Sequence, residues 1–219
     1  MNLFQKLLRL LAILSTGLSL VSCVSSKGLE LNAVWESDLY ESKKYRKIVV
    51  FGLTKSMHNN HSFEIDAVKY LKSKGINSVA GHEVYDIKTD GNINPTHMKR
   101  YLFSLGFDGI LTASLIDPID SQDEHVSQEA LGHHGEGMYR FGQYFQNRYE
   151  TLESSEKTDF AILETNFYMM MDYNEFDGSG LVWISHYNID QELRNDFPID
   201  EYARTITKSL LHDGVVMTK

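Results

Sequence analysis

Ile48-Val49-Val50-Phe51-Gly52-Leu53 is a continuous apolar run bounded by polar residues, and its length and β-branching predict a buried strand. Ser62 is a helix N-cap candidate, with Glu64 and Asp66 in the first turn. Phe63, Ala67, Val68 and Leu71 then recur at helical spacing up to Gly75. Ile76 to Val84 predicts a short second strand. Asn94-Pro95 opens a second helix whose apolar face is Met98, Leu102 and Leu105, with Gly106 as its stop. Ile110 to Ile116 is a third strand. Strands alternating with helices of this length favour right-handed crossovers and parallel pairing.

Residues 117–158 interrupt the pattern with polar runs, glycines and aromatics, and read as an insertion. Phe160 to Tyr173 and Leu181 to Tyr187 flank the turn signal Asn174 to Gly180, which predicts a long antiparallel hairpin. Pro198 opens a last helix with Tyr202, Ala203, Ile206 and Leu210 as its core stripe and Gly214 at its end. The expected fold class is α/β. A β-α-β-α-β sheet is extended by a C-terminal antiparallel hairpin and a final helix, with an insertion at about 117–158.

The amino-terminal segment has a different pattern. Lys6 and Arg9 precede an uncharged run from Leu10 to Ser22, the layout of an export signal. That run is short of the roughly 18 residues a spanning helix needs. It ends in Leu20-Val21-Ser22-Cys23, which resembles the lipobox of bacterial lipoproteins. The resemblance implies cleavage between Ser22 and Cys23 and lipid attachment at Cys23. A plain signal peptide would instead leave Cys23 as a stray thiol. Several acyl chains on one residue exceed the marginal hold of a single chain. The expected organisation is a signal peptide over 1–22, a lipidated cysteine and tether over 23–45, and a single α/β domain over 46–219. Trp35 and Tyr40 are large enough to order part of the tether on the body.

Composition narrows the functional classes. Cys23 is the single cysteine, which excludes an internal disulfide framework and a zinc site built from several thiolates. Signal removal takes two of the 21 basic side chains and none of the 30 acidic ones, so the net charge moves from −9 to −11. That balance argues against nucleic-acid binding, and against electrostatic attraction to anionic lipid. Val24, where enterobacterial-type sorting places an Asp for inner-membrane retention, points to the outer membrane, with the body facing the periplasm.

The stretches KIVVFGL, SFEIDAVKYLKSKGINSVAG and GFDGILTASLID resemble a group of small exported bacterial lipoproteins of unassigned activity. The positions that carry the resemblance are Phe63-Glu64, Leu71, Gly75, Gly106, Asp108 and Ile110-Leu111, with Thr165-Asn166-Phe167-Tyr168 and Leu181-Val182-Trp183 in the hairpin. The resemblance implies an architecture similar to the amino-terminal domain of the periplasmic protein TolB and to the periplasmic domain of the curli secretion channel. It brings no catalytic residues with it.

The candidate chemistry is sparse. His58 and His61 lie three apart after the first predicted strand, where α/β sheets commonly bind ligands, and could hold zinc or copper with further ligands from elsewhere. The bland alternative is a polar loop. His133-His134 sits in a Gly-rich stretch, and His82-Glu83 reads as a strand end. There is no Gly-x-Ser-x-Gly elbow and no glycine-rich phosphate loop. Tyr139, Phe141, Tyr144, Phe145 and Tyr149 either pack on the domain or form a partner surface. The expectation is a non-enzymatic, membrane-anchored module without a cofactor, which binds an envelope protein or assembles with itself. The alternative is a small-ligand or metal-binding lipoprotein that uses the loops after the first and third strands.

Overall fold

A computed structural model describes residues 29–37, 40–54, 56–85, 95–116, 162–170, 180–189 and 198–218. Cys23, the signal segment, the 117–158 insertion and its aromatic residues lie outside these. The described elements are β1 (Leu29–Glu36), β2 (Ile48–Leu53), α1 (Met57–Ser73), β3 (Ser78–Ala80), a 3-10 turn (Gly81–Glu83), α2 (Pro95–Ser104), β4 (Gly109–Ile116), β5 (Ile162–Met169), β6 (Leu181–Ile189) and α3 (Ile199–His212). They form a six-stranded mixed sheet in the order β1-β6-β5-β4-β2-β3. β2 pairs in parallel with β3 and β4, while the β4-β5, β5-β6 and β1-β6 pairs are antiparallel.

The α/β class, the parallel β-α-β-α-β core, the hairpin and the last helix agree with the sequence reading. β2 is apolar throughout because both of its faces are covered. Ile48 and Val50 join a core with Phe63, Ala67 and Leu71 of α1 and Tyr202, Ala203, Ile206 and Leu210 of α3. Val49, Phe51 and Leu53 join a second core with Met98 and Leu102 of α2. Successive strand residues point to opposite faces. The sheet therefore separates α1 and α3 from α2.

Both crossover helices stop in the same way. Gly75 (φ 77°) and Gly106 (φ 82°) take the left-handed conformation that glycine tolerates. The N–H of the next residue then bonds five residues back, Ile76 to Leu71 and Phe107 to Leu102. Each stop delivers a buried apolar residue, Ile76 or Phe107, to the entry of the next strand.

Several boundaries differ from expectation. The tether read over 23–45 contains β1, which pairs with β6 along Leu29–Glu36. A shift between Leu31 and Ala33 breaks its alternation, so the period-two signal of a strand was lost. α1 begins six residues before the Ser62 reading. Its N-cap is Ser56, whose Oγ accepts from Asn59 N at 3.2 Å. The polar first turns hid the start, and Asn60 reaches back to Thr54, accepting from its N at 2.8 Å. Glu64 is therefore inside the helix, one residue into its buried stripe. The strand read over Ile76 to Val84 contracts to Ser78–Ala80, after which the chain turns. Leu105 leaves the core face expected of it and is 40% exposed.

Candidate functional site

Three polar constellations break the apolar pattern. The first is at the carboxyl ends of β2 and β3. Glu64 is on the core-facing stripe of α1, shared with Ala67, Val68 and Leu71, and is 3% exposed. Its Oε1 accepts from Gly52 N at 2.9 Å. Its Oε2 accepts from His82 N at 2.9 Å and contacts His82 Nδ1 at 2.5 Å. The His61 ring stacks on the His82 ring with centroids 4.2 Å apart and planes 30° apart. A side chain at Gly52 would meet Asn60 Cα at 2.7 Å, and one at Gly81 would meet the Phe51 ring at 2.2 Å. These two glycines let β2, α1 and the 3-10 turn close around Glu64.

The second constellation crosses the centre of the sheet. Register places Ser114, Glu164 and His186 side by side on β4, β5 and β6, with Thr112 and Asn166 in the neighbouring row. All five are buried. His186 Nε2 lies 2.9 Å from Glu164 Oε2, and Asn166 Nδ2 donates to Glu164 Oε1 at 3.5 Å. Among the described residues, Thr112 Oγ1 and Asn166 Oδ1 have no hydrogen-bond partner. The row lies on the same sheet face as Ile110, Tyr168 and Ile184, the α2 side.

The third ties the start of the body together. Asp108, at the entry of β4, accepts from Arg46 N and Lys47 N, each at 3.0 Å, and from Arg46 Nε at 3.2 Å. Tyr40 donates to Val215 O at 2.6 Å, which uses its one hydrogen, so Tyr45 donates in the 2.7 Å contact between the two hydroxyls. Burial pushes the Tyr45 phenol far above its usual range, and its donation to Tyr40 adds to this.

The sequence candidates are placed as follows. His58 and His61 lie in the first turns of α1 rather than in a loop. His58 is exposed, while His61 is half-buried against His82. His82 leaves the strand end read for it and becomes part of the Glu64 cluster. Among the described residues, no group of three or more His, Cys, Asp or Glu side chains is assembled to hold a metal ion. Cys23, Tyr139, Phe141, Tyr144, Phe145 and Tyr149 lie outside the described residues. Glu64, Glu164 and His186 were missed as site residues. The available signal was an acid on an apolar helix stripe, and an acid and an imidazole within otherwise buried strands.

No family model matches the chain, and no curated protein matches it. Among solved structures it is similar to the PelC dodecamer from Paraburkholderia phytofirmans, at 12% identity and a TM-score of 0.40 over 85% of this chain and 99% of that one. It is also similar to a DUF4136 family protein from Bacteroides thetaiotaomicron, at 10% identity and a TM-score of 0.43 over 87% of this chain and 99% of that one. No helix among the described residues is long and apolar enough to cross a membrane.

Proposed function

We propose that the chain is a lipid-anchored envelope protein, acylated at Cys23 and facing the periplasm from the outer membrane. Its α/β body serves as a non-enzymatic module that binds an envelope protein or another copy of itself. An architecture like that of the TolB amino-terminal and curli-channel periplasmic domains is what the sequence resemblance implies. The observation that carries the binding reading is β1. It is an eight-residue strand at the edge of the sheet, beginning six residues after Cys23. Pairing with β6 puts Leu31 beside Tyr187 and Val34 beside Ser185, on one face, where they are 50% and 44% exposed. A long edge strand with exposed apolar residues is a template for strand addition unless something covers it. The aromatic set Tyr139, Phe141, Tyr144, Phe145 and Tyr149 supplies the further anchors.

A photocrosslinking amino acid at Leu31 or Val34 in intact cells, read by mass spectrometry, tests the binding reading. The expected product is a discrete adduct with a second copy or one envelope protein. A strictly solitary monomer refutes it. Metabolic labelling with an alkyne fatty acid tests the anchor. The label and membrane retention should both vanish in Cys23→Ser.

A further inference from the structure

We propose that the end of the sheet where β2, β3 and β4 begin is a docking surface for an acidic protein, presented away from the membrane. The inference rests on the proposed anchor at Cys23 for its orientation, and it names the chemistry of a partner. Three observations carry it: the distribution of charge, the side chains gathered at that end, and the direction of β1.

The chain carries 30 acidic side chains, yet three segments of its β2-α1-β3-α2 part hold none: 42–63, 67–82 and 95–107. An even spread would put roughly seven acids there. The same segments hold ten of the 21 Lys and Arg. In a chain of net charge −9 this part is a basic module within an acidic protein.

The fold gathers these charges at one end. Lys44 and Arg46 are exposed on the segment entering β2, and Lys72 and Lys74 are exposed at the close of α1. Asn77 joins the two groups: its O accepts from Ile48 N at 2.9 Å and its Nδ2 donates to Arg46 O at 3.1 Å. Lys47 Nζ lies 4.2 Å from the Phe107 ring centre and donates to Leu105 O at 3.4 Å, which brings in the end of α2. Phe103 and Leu105 are 41% and 40% exposed there. Among the described residues the carboxylate in these contacts is Asp108, buried and engaged by Arg46 and Lys47. Glu36, Glu41 and Asp213 reach this end on the β1 and α3 side, where Trp183, paired with Glu36, donates to Asp213 and Ser42 donates to Gly214 O. Lysines at a helix end complement its dipole. That accounts for Lys72 and Lys74, but not for Lys44, Arg46 and Lys47, which precede a strand.

The direction of β1 decides what can reach this end. β5 opposes both β4 and β6, so β6 runs with β4 and β2, and β1 runs against them. Leu29 pairs with Ile189 and therefore starts at the carboxyl end of β4. Cys23 is six residues earlier, a reach of at most about 20–22 Å. The basic end lies farther on by the length of β1, about 26 Å for its eight residues. An acyl anchor at Cys23 thus holds the carboxyl ends toward the bilayer and turns the basic end into the periplasm. Copies anchored in one leaflet all turn this end the same way, so none stacks on another's. The occupant comes from the periplasmic side. A positive rim around exposed apolar side chains steers and seats an acidic protein surface.

The test places a photocrosslinking amino acid at Phe103 of the full chain in intact cells. The expected product is one protein whose crosslinked peptide is rich in Asp and Glu. Its yield should fall about tenfold in Lys72→Glu/Lys74→Glu and stay within about twofold in Arg204→Glu, an exposed position on α3. If the double variant does not fold, Lys44→Glu replaces it, with a loss of about threefold or more. In isolated membranes the yield should drop as salt rises from about 0.05 to about 0.5 M, because exposed charges are screened. An adduct with lipid, with a second copy or with a peptide that is not acidic overturns the proposal. So does an adduct indifferent to charge reversal, or no adduct at all. The anchor is read separately by fatty-acid labelling of the same cells. A labelled chain without the adduct refutes the docking surface and leaves the anchor standing, whereas the adduct on an unlabelled chain supports the surface and refutes the anchor.

Discussion

Glu64 joins three elements through one carboxylate, so its removal gives a calculable loss. In Glu64→Ala the buried N–H groups of Gly52 and His82 lose their acceptor, and the His82 ring loses its anchor. Each orphaned donor costs about 1–3 kcal/mol. The void left by the side chain adds to this, while removal of a buried charge offsets part of it. The net expectation is a loss of about 3–5 kcal/mol, built from those terms. For a chain of about 200 residues, 1 kcal/mol moves Tm by about 2–4 °C, so melting should fall by roughly 6–20 °C. Glu64→Gln keeps one acceptor oxygen, which can stay on the two His82 contacts, and turns the other into a donor facing Gly52 N, so it should cost about 1–2 kcal/mol, one unmet N–H. The neighbouring exposed Glu83→Gln should stay within about 0.5 kcal/mol. Urea unfolding at constant slope measures all three. The reasoning fails if Glu64→Ala loses less than about 1 kcal/mol, within the range of an ordinary surface change, or if glutamine is the worse substitution.

Asp108→Ala should cost about 2–4 kcal/mol through the orphaned Arg46 and Lys47 N–H groups. Arg46→Ala should cost less than about 1 kcal/mol, because that guanidinium is 73% exposed; comparable losses in urea would sink this division of labour. Gly81→Ala places a methyl 2.2 Å from the Phe51 ring and should destabilise by about 1–3 kcal/mol or more, whereas Gly106→Ala meets open space and should cost only the left-handed penalty of about 1–2 kcal/mol; a reversed order in thermal melts would contradict the packing. Stability should fall as pH rises above about 10, the ordinary phenol range. Burial raises the Tyr40, Tyr45 and Tyr187 phenols, so the folded chain keeps these protons where the unfolded chain releases them, and the stability is complete below that pH. Lys43, lowered by burial, works in the opposite sense below its own ordinary range, but it is one group against three. Urea midpoints from pH 8 to 11 should decline, less steeply in Tyr45→Phe; a flat or rising profile would refute the assignment.

Elements with local signals were legible in the sequence. β2, α2, β4, the hairpin and α3 each carry a period, a run or a stop within a few residues. Gly75 and Gly106 signal stops in the sequence, and both hold the left-handed conformation. β1 was illegible because its partner, β6, is some 150 positions away and a register shift erases its alternation. The true start of α1 was hidden because its first turns bury almost nothing and are held by Ser56, Thr54 and Asn60 side chains. Glu64 and Asp108 stand out as motif positions, but their role as backbone acceptors depends on what the fold brings to them. Asp108 receives N–H groups from 61 and 62 positions away. The pairing of His61 with His82 was out of reach for the same reason, since neither ring has a local reason to stack.

The departures from local rules are concentrated in particular places. Away from the three constellations, buried positions are mostly apolar and the helices end in ordinary stops. The Glu64 cluster and the row of Ser114, Glu164 and His186 place acids and imidazoles where apolar residues of similar volume would pack with less desolvation. Stability alone gives no reason to keep such groups, because a buried pair seldom outperforms a hydrophobic replacement. The two sites differ in what they leave open. The central row is deeply enclosed, with Glu164 fully buried and His186 8% exposed, which suits fixing the register of β4, β5 and β6. Shifting β4 by a single residue would replace Ser114 with Ala113 or Leu115 opposite Glu164, so the row penalises that mispairing. The Glu64 cluster instead ends in an imidazole that is 26% exposed, with a second ring stacked upon it. A group retained only for register needs no access to solvent. The exposure of His82 beside a buried carboxylate is therefore not accounted for by register alone.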